Sequence, residues 1–317
     1  MQYTYRLICT MRKWLPVLIF IIIAAILSVY LVIPSTINIT QITPVRCTIT
    51  GAYRHMATSD KWSLWSLNKP NKPLRYHYDT YYITKNLVNT VEVHISHQDL
   101  SLNSVIHLLP LPGDSSVIEW KCSFASGLNP FKRVQRYLQA IDIKNNMAGM
   151  LSRFQTFVEE TENVYGIAIH ESSTKDTLLI ATKTILPSYP TTADVYKLIN
   201  ALKKYATEQQ AQQTGSPMFN ITPLNPAGFQ LMAALPVNKP MPDNGPFFKR
   251  WVPPGKFLVI QVRGGEGTVQ HALAELQLYV QDYHRVAMAI PFQQLITDRI
   301  AEPDTTKWVT KVYMPVF

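Results

Sequence analysis

The chain has 317 residues, which leaves room for about two domains at roughly 100–200 residues per domain. Its formal net charge is +9, and 47% of its residues are hydrophobic, partly because of one apolar segment near the start. No stripe of basic and aromatic residues appears in the chain, so nucleic acid is excluded as a predicted partner.

An apolar segment without any charged residue runs from Trp14 to Ile33. It has about the 20 residues that an α-helix needs to cross the hydrocarbon core of a membrane. Pro16 falls in its first turn, where proline is tolerated, and Pro34 closes it. We predict an uncleaved transmembrane helix over residues 14–33. A buried core helix and a cleaved signal peptide are the alternatives.

The charges around this segment predict its orientation. Arg6, Arg12 and Lys13 precede it with no acidic residue among them, and the following flank is uncharged until Arg46. Flanking positive charge favours the cytoplasmic side of a membrane. We therefore predict a cytoplasmic tail over residues 1–13 and export of everything after the helix, where the modest basic charge allows contact with anionic lipid head groups.

The residues after the segment predict a domain of the α+β class. A strand is expected over Ile37–Thr50, and a period of two from Tyr76 to Cys122 predicts an antiparallel meander. The pair Asn129-Pro130 then precedes a long amphipathic helix from about Phe131 to Glu160. A curved meander closed by one long C-terminal helix is a helix-grip arrangement.

The sequence gives little support for metal or cofactor chemistry. His94 and His97 are the only close histidine pair, and a spacing of three on a strand puts them on opposite faces. The glycine cluster at 264–267 is better explained as the turn that enters a helix than as an anion site. We predict no metal and no cofactor. Cys47 and Cys122 are expected either to form a disulfide in an oxidising compartment or to remain buried thiols.

The second half of the chain carries one pattern twice, over about 177–237 and 256–316. Each copy predicts a strand, an amphipathic helix, an aromatic-bearing strand and a final apolar strand. A unit this small cannot bury both a sheet face and a helix face alone, whereas two packed side by side can. The pseudo-twofold seam between the copies is therefore a natural place for a concave pocket.

Two resemblances follow from particular motifs. Residues 37–160 resemble the START-like superfamily of polyketide-cyclase-type (SRPBCC) proteins, on Trp62-Ser63-Leu64-Trp65, Ile118-Glu119-Trp120 and Asn129-Pro130-Phe131. Residues 164–317 resemble the GyrI-like effector-binding domain, on the tandem repeat and the closing strand from Trp308 to Val316. The order of anchor and domains resembles membrane-anchored bacterial proteins, which implies a single-pass protein of the bacterial inner membrane with periplasmic C-terminal domains.

The GyrI-like resemblance also implies a binding site. Such domains hold drug-like cations with a carboxylate in an aromatic pocket, where pairing and cation–π attraction offset desolvation. The matching segment here reads Pro291-Phe292-Gln293-Gln294-Leu295, so Gln293 stands where the acid is expected and cannot neutralise a cation. We therefore predict a pocket for a neutral, largely apolar ligand, unless these aromatic rings only fill the core. The predicted ligand-binding residues are Phe292, Gln293, Trp308, Tyr313, Phe229 and Trp251.

The function predicted from these observations is noncatalytic binding of a small apolar or amphipathic molecule, in a stress or sensing role near a membrane. One alternative is a hydrolase of reactive xenobiotics in the GyrI-like pocket, with Glu266 or Glu275 as the nearest candidate acids. A second alternative is a structural or partner-binding protein with vestigial pockets.

Overall fold

The computed structural model describes residues 2–66, 73–174, 177–252, 254–287 and 289–316, without the side chains of residues 2–15, 174 and 177. The chain divides into two compact units, residues 1–160 and 161–317. Each unit contains one antiparallel sheet with helices, so the predicted α+β class is confirmed.

The first helix, α1, begins at Gln2 and ends at Val32. Its last turn is tied to the rest of the unit by Arg133, whose Nε and Nη2 atoms donate to the carbonyl oxygen of Ile33 at 2.8 and 2.5 Å. Within the described residues, no helix combines the length and the apolarity that crossing a membrane requires. The transmembrane helix predicted over residues 14–33 is therefore not supported, and the side chains of residues 14 and 15 lie outside the described part of the chain. Orientation and location stay predictions.

The sheet of the first unit has the strand order β1-β6-β5-β4-β3-β2. Its strands are β1 Thr36–Val45, β2 Leu74–Tyr76, β3 Asp79–Leu87, β4 Thr90–His97, β5 Leu100–Leu111 and β6 Ser115–Ala125. Its remaining helices are α2 Ile49–Met56, α3 Trp62–Ser66 and α4 Pro130–Val158, with a 3₁₀ turn at Ser59–Lys61.

Side-chain caps set two of the boundaries in this unit. The predicted strand over Ile37–Thr50 is wrong at its end, because β1 stops at Val45 and Thr48 caps α2 by accepting from the backbone N–H of Gly51 at 3.3 Å. Asn129 caps α4 in the same way through the backbone N–H groups of Phe131 and Lys132. The meander packs against α4 through a core that includes the fully buried residues Ile118, Trp120, Ile143 and Phe154.

The two buried cysteines of this unit are not joined by a disulfide. Cys122 lies opposite Ile39 in the β1–β6 ladder, whereas Cys47 follows the end of β1, where Val45 lies opposite Ser116. Six residues of strand separate Ser116 from Cys122, which is about 20 Å at 3.3 Å per residue. A disulfide needs Cα atoms within about 7 Å, so the two side chains cannot bridge.

Both thiols should therefore resist modification in the folded protein. Burial raises the pKa of Cys122 to about 11, so little reactive thiolate exists at pH 8. In a Cys9→Ser variant we expect no labelling by a thiol reagent at pH 8 in buffer and two labels per chain in denaturant, counted by mass spectrometry. Labelling of Cys122 in the native protein at the rate of a free small thiol would contradict this.

The second unit contains an eight-stranded sheet with the order β11-β8-β10-β9-β13-β14-β12-β7. Its strands are β7 Ile169–Thr174, β8 Thr177–Leu186, β9 Met218–Leu224, β10 Gly228–Pro236, β11 Phe248–Val252, β12 Gly255–Arg263, β13 Phe292–Leu295 and β14 Val309–Val316. Its helices are α5 Thr161–Tyr165, α6 Thr192–Glu208 and α7 Glu266–Asp282, with a 3₁₀ turn at Thr305–Lys307. A strand–helix–strand–strand order thus occurs twice, and β9 and β13 join the two copies.

The strand register defines two faces of this sheet. One row of directly paired residues is Thr182, Ala233, Phe219, Gln293, Val312 and Ile260. Phe219 and Ala233 share a buried core with Ile199 and Leu202 of α6, so we name this side the helix face. The next row is Phe248, Ala181, Ala234, Met218, Gln294, Lys311 and Gln261. It lies on the opposite side, which we name the cavity face.

Candidate functional site

A cavity of about 600 Å³ lies in the second unit. This volume is within the range of roughly 300–1,000 Å³ that is typical of small-molecule sites. Most of its lining comes from apolar side chains on the cavity face of the strands. They include Leu179, Ala181, Met218, Met232, Ala234, Val252, Phe257, Phe292 and Pro315. Both repeats contribute to this lining, so the cavity spans the seam between them.

One wall of the cavity carries the rings of Phe257 and Phe292, which pack against the neighbouring Tyr313 ring. Phe292 stacks on Tyr313 with ring centroids 5.0 Å apart and planes 6° apart. Phe257 meets both rings edge-on, at 6.2 and 6.3 Å. Such edge-on and offset contacts fix ring positions beyond what apolar burial alone provides. The wall is therefore a rigid, apolar surface against which a flat or chain-like ligand can pack.

Polar groups are few near this wall. The Tyr313 hydroxyl donates to Gln294 Oε1 at 3.0 Å, and burial raises the pKa of Tyr313. The phenol therefore stays neutral at ordinary pH. Asn220 also lines the cavity, and its buried Oδ1 has no hydrogen-bond partner within the described part of the chain. A ligand hydroxyl or amide N–H could satisfy this oxygen.

The six predicted site residues fall on different faces of the sheet. Phe292 and Tyr313 lie together on the cavity face, where Phe292 lines the cavity and Tyr313 stacks on it. Trp251 borders the cavity but is 60% exposed, and its register partner Leu178 packs toward α6. Phe229 and Gln293 lie on the helix face, since successive strand residues point to opposite sides. Trp308 precedes β14 and contacts Arg299, which is hydrogen-bonded to the helix-face residue Thr310. The structure thus brings together only part of the predicted set.

Gln293 shows most clearly that the predicted site residues lie on two different faces of the sheet. It follows Phe292 directly in β13, so its side chain lies between the helix-face residues Phe219 and Val312 of the two neighbouring strands. It is 5% exposed, and its Oε1 atom has no hydrogen-bond partner among the described residues. The side chain that matches the expected acid is consequently buried on the helix face.

Trp308 belongs to a second, polar cluster on the helix face. The guanidinium of Arg299 lies 4.7 Å from the Trp308 ring and donates through Nη2 to Thr310 Oγ1 at 2.9 Å. Its Nη1 atom is 3.9 Å from Glu266 Oε2. Burial lowers the pKa of Arg299 somewhat, while the Glu266 charge acts in the opposite direction. This cluster connects the start of β14 with the start of α7.

The candidate acid Glu266 is occupied within the same cluster. Its Oε1 atom accepts hydrogen bonds from the Tyr189 hydroxyl and from Gln270 Nε2, both at 2.8 Å. Burial, together with the Glu266 contact, raises the pKa of Tyr189. Phe229 packs edge-on against Tyr189 at 5.5 Å. Glu266, Phe229 and Trp308 therefore share surroundings that are separate from the cavity lining.

Sequence reasoning missed several cavity residues. Leu179, Met218, Phe257 and Arg250 line the cavity although none of them was predicted. Strict alternation from Phe292 and Tyr313 would have found part of the set, because residues on one face recur every second position. Which strands are neighbours, however, depends on the joining of β9 to β13, which no local pattern reports.

A buried polar network in the first unit was also missed. The Asp79 carboxylate accepts from the Tyr81 hydroxyl at 2.7 Å and from Asn146 Nδ2 at 2.8 Å, and it is hydrogen-bonded to His97 Nδ1. His94, by contrast, stacks on Tyr82 on the opposite face of β4. The spacing argument for the two histidines is thus correct, while the partner of His97 came only from the β3–β4 register.

Comparisons with known proteins identify no family. No protein-family model matches the chain, and no curated protein matches it. Similar solved structures include an EcmrR–DNA complex, at 16% identity and a TM-score of 0.44 over 59% of this chain and 71% of that one. SAV2435 bound to tetraphenylphosphonium gives 14% identity and a TM-score of 0.32 over 48% and 94%. A hydrolase from Listeria innocua gives 9% and 0.37 over 47% and 91%. Similarities this low carry no functional conclusion.

Proposed function

We propose that the second unit binds a small apolar or amphipathic molecule in the cavity and does not transform it. The observation that carries this proposal is a volume of about 600 Å³ walled by apolar and aromatic side chains from both repeats. Removing apolar ligand surface from water contributes about 25 cal/mol per Å². A lining ring such as Phe292, which is held in place by its stacking on Tyr313, adds little ordering cost on binding.

The chemistry of the lining favours binding over hydrolysis. The described lining residues include no carboxylate, imidazole, hydroxyl or thiol group that would serve as base or nucleophile. Glu266, one of the acids considered for a hydrolase, is hydrogen-bonded on the helix face instead. The resemblance of residues 164–317 to GyrI-like effector-binding domains supports the same class of function, with a stress or sensing role as its expected use.

Filling the cavity should abolish ligand uptake. Ala234 lies on the cavity face between Ala181 and Met218, so an Ala234→Trp side chain would occupy ligand space. We expect the purified chain to bind the neutral dye Nile red, and the variant to bind it at least about tenfold more weakly, which is about 1.4 kcal/mol. Fluorescence titration measures both affinities.

The matched control is Ala274→Trp, which places the same side chain at an exposed position of α7. This variant should bind the dye as the parent chain does, with a similar circular dichroism spectrum. Equal dye affinity in all three proteins would contradict the proposed site. No dye binding by the parent chain would contradict the proposed function.

A further inference from the structure

The charged residues on the cavity face of the sheet in the second unit all have the same sign. Register and alternation place four charged residues on the cavity face, and all four are basic. They are Lys183, Arg250, Arg263 and Lys311. The only acidic residue in the described strands of this unit is Glu171, which lies opposite Leu258 on the helix face and forms an ion pair with Arg285 at 3.7 Å.

One of these cations, Arg250, lines the cavity, and Lys256, which register places on the helix face, also contributes to the lining. Arg250 is paired in register with Leu179, another lining residue. Lys183 is exposed on the same face, directly opposite the lining residue Met232. None of Arg250, Lys183 and Lys256 forms an ion pair with a carboxylate in the part of the chain that the structure describes. The positive potential at the cavity is therefore not neutralised by a described partner.

The position of Arg250 also restrains its head group. Its guanidinium carbon lies 5.5 Å from the ring centroid of Phe248, which is two residues earlier on the same face of β11. Stacking on an aromatic ring orients a guanidinium while leaving its planar N–H groups available. Those N–H groups match the oxygens of a carboxylate, phosphate or sulfate, often as two parallel hydrogen bonds.

From this charge distribution we propose that the ligand is a free anionic amphiphile, with its apolar chain in the cavity and its acid group on Arg250. This inference rests on the proposed binding function and adds the charge of the ligand. An apolar cavity with two cations and no described carboxylate in its lining attracts an acid and repels a cation. Lys183 supplies additional attraction at longer range.

Three probes with one chain length test the charge separately from the apolar contact. Decanoate, 1-decanol and decyltrimethylammonium share a ten-carbon chain and differ in head-group charge. By isothermal titration of the full chain below the micelle concentration, we expect decanoate to bind about tenfold more tightly than decanol, since hydrogen bonds to charged groups are the stronger kind. The cation should bind most weakly.

Substitutions locate the effect. Arg250→Gln should weaken decanoate binding about tenfold and leave decanol binding unchanged, because only the charged contact is lost. The matched control is Lys249→Gln, which removes the same charge from the adjacent residue of β11, where the register partner is the helix-face residue Ile180. This control should bind decanoate as the parent chain does.

Each result separates this inference from the proposed function. Equal binding of decanol and decanoate, unaffected by Arg250→Gln, leaves the cavity as a binding site and overturns the charge assignment. Tighter binding of decyltrimethylammonium than of decanoate overturns it as well. If no probe binds, the proposed function itself fails. Binding to phosphatidylglycerol vesicles, with none to monomeric decanoate, overturns a free ligand and indicates a bilayer surface instead.

Discussion

An Asp79→Ala substitution is expected to lower the free energy of unfolding of the first unit by about 3–5 kcal/mol, the cost of breaking a buried charged network from one side. The carboxylate is completely buried at the start of β3. It accepts from Tyr81 and Asn146 and is hydrogen-bonded to His97, so its loss leaves three buried polar groups without their acceptor. Each group left unpaired costs about 1–3 kcal/mol.

The network joins parts of the unit that are distant in sequence. Asp79 and Tyr81 belong to β3, His97 ends β4, and Asn146 lies in the middle of α4. Loss of the carboxylate therefore weakens the attachment of the long helix to the sheet as well as the β3–β4 pair. Burial, with the neighbouring Asp79 charge, raises the pKa of Tyr81, which keeps this hydroxyl protonated as a donor.

Urea unfolding followed by circular dichroism measures the loss. The control is Asp99→Ala, which removes another carboxylate with hydrogen bonds to Gln139 and Arg136, but from a side chain that is 59% exposed. Exposed ion pairs contribute little, so this variant should unfold close to the parent chain. Equal midpoints for the two variants would show that the buried network does not stabilise the unit.

Local patterns in the sequence predicted much of the fold of the second unit. The apolar spacing of Val195, Ile199 and Leu202 is that of one helix face, and all three side chains are buried against the sheet. Alternation in the flanking segments predicted strands at the right places. The ends of the elements were less predictable. At Thr48 in the first unit, for example, the side chain caps a helix that the apolar pattern of β1 did not indicate.

The site was harder to predict because it depends on register. Phe292 and Gln293 are neighbours in sequence and were assigned to one pocket, yet alternation along β13 separates them by the thickness of the sheet. Arg250 was missed because nothing near it in sequence shows that β11 pairs with β8 at the cavity. Long-range strand pairing determines the positions of both Gln293 and Arg250, and no local pattern in a single sequence indicates that pairing.

A Gln293→Glu substitution should destabilise the second unit by about 3–5 kcal/mol at pH 8, because it introduces an ionised carboxylate at a buried position. Gln293 is buried on the helix face, between Phe219 and Val312, and its Oε1 atom accepts no hydrogen bond from any cation among the described residues. Burial disfavours the charged form and raises the folded-state pKa of the introduced carboxyl above its unfolded value of about 4.3.

The sign of the pH dependence follows from that shift. The folded variant retains its proton to a higher pH than the unfolded chain, so below about pH 4 the variant loses little stability. As the pH rises past the unfolded pKa, stability falls by about 1.4 kcal/mol per pH unit until the folded-state pKa is passed. Urea midpoints at pH 4, 6 and 8 measure this slope relative to the parent chain.

Two further variants give this experiment its controls. Gln294→Glu makes the same change one residue later on the cavity face, where the side chain is only partly buried and the Tyr313 hydroxyl remains a donor. It should lose far less stability and show a shallow pH dependence. Gln293→Leu removes the unpaired oxygen and should be neutral or stabilising. If Gln293→Glu proves as stable at pH 8 as at pH 4, the position holds a charge, and an acid there could bind a cation on the helix face.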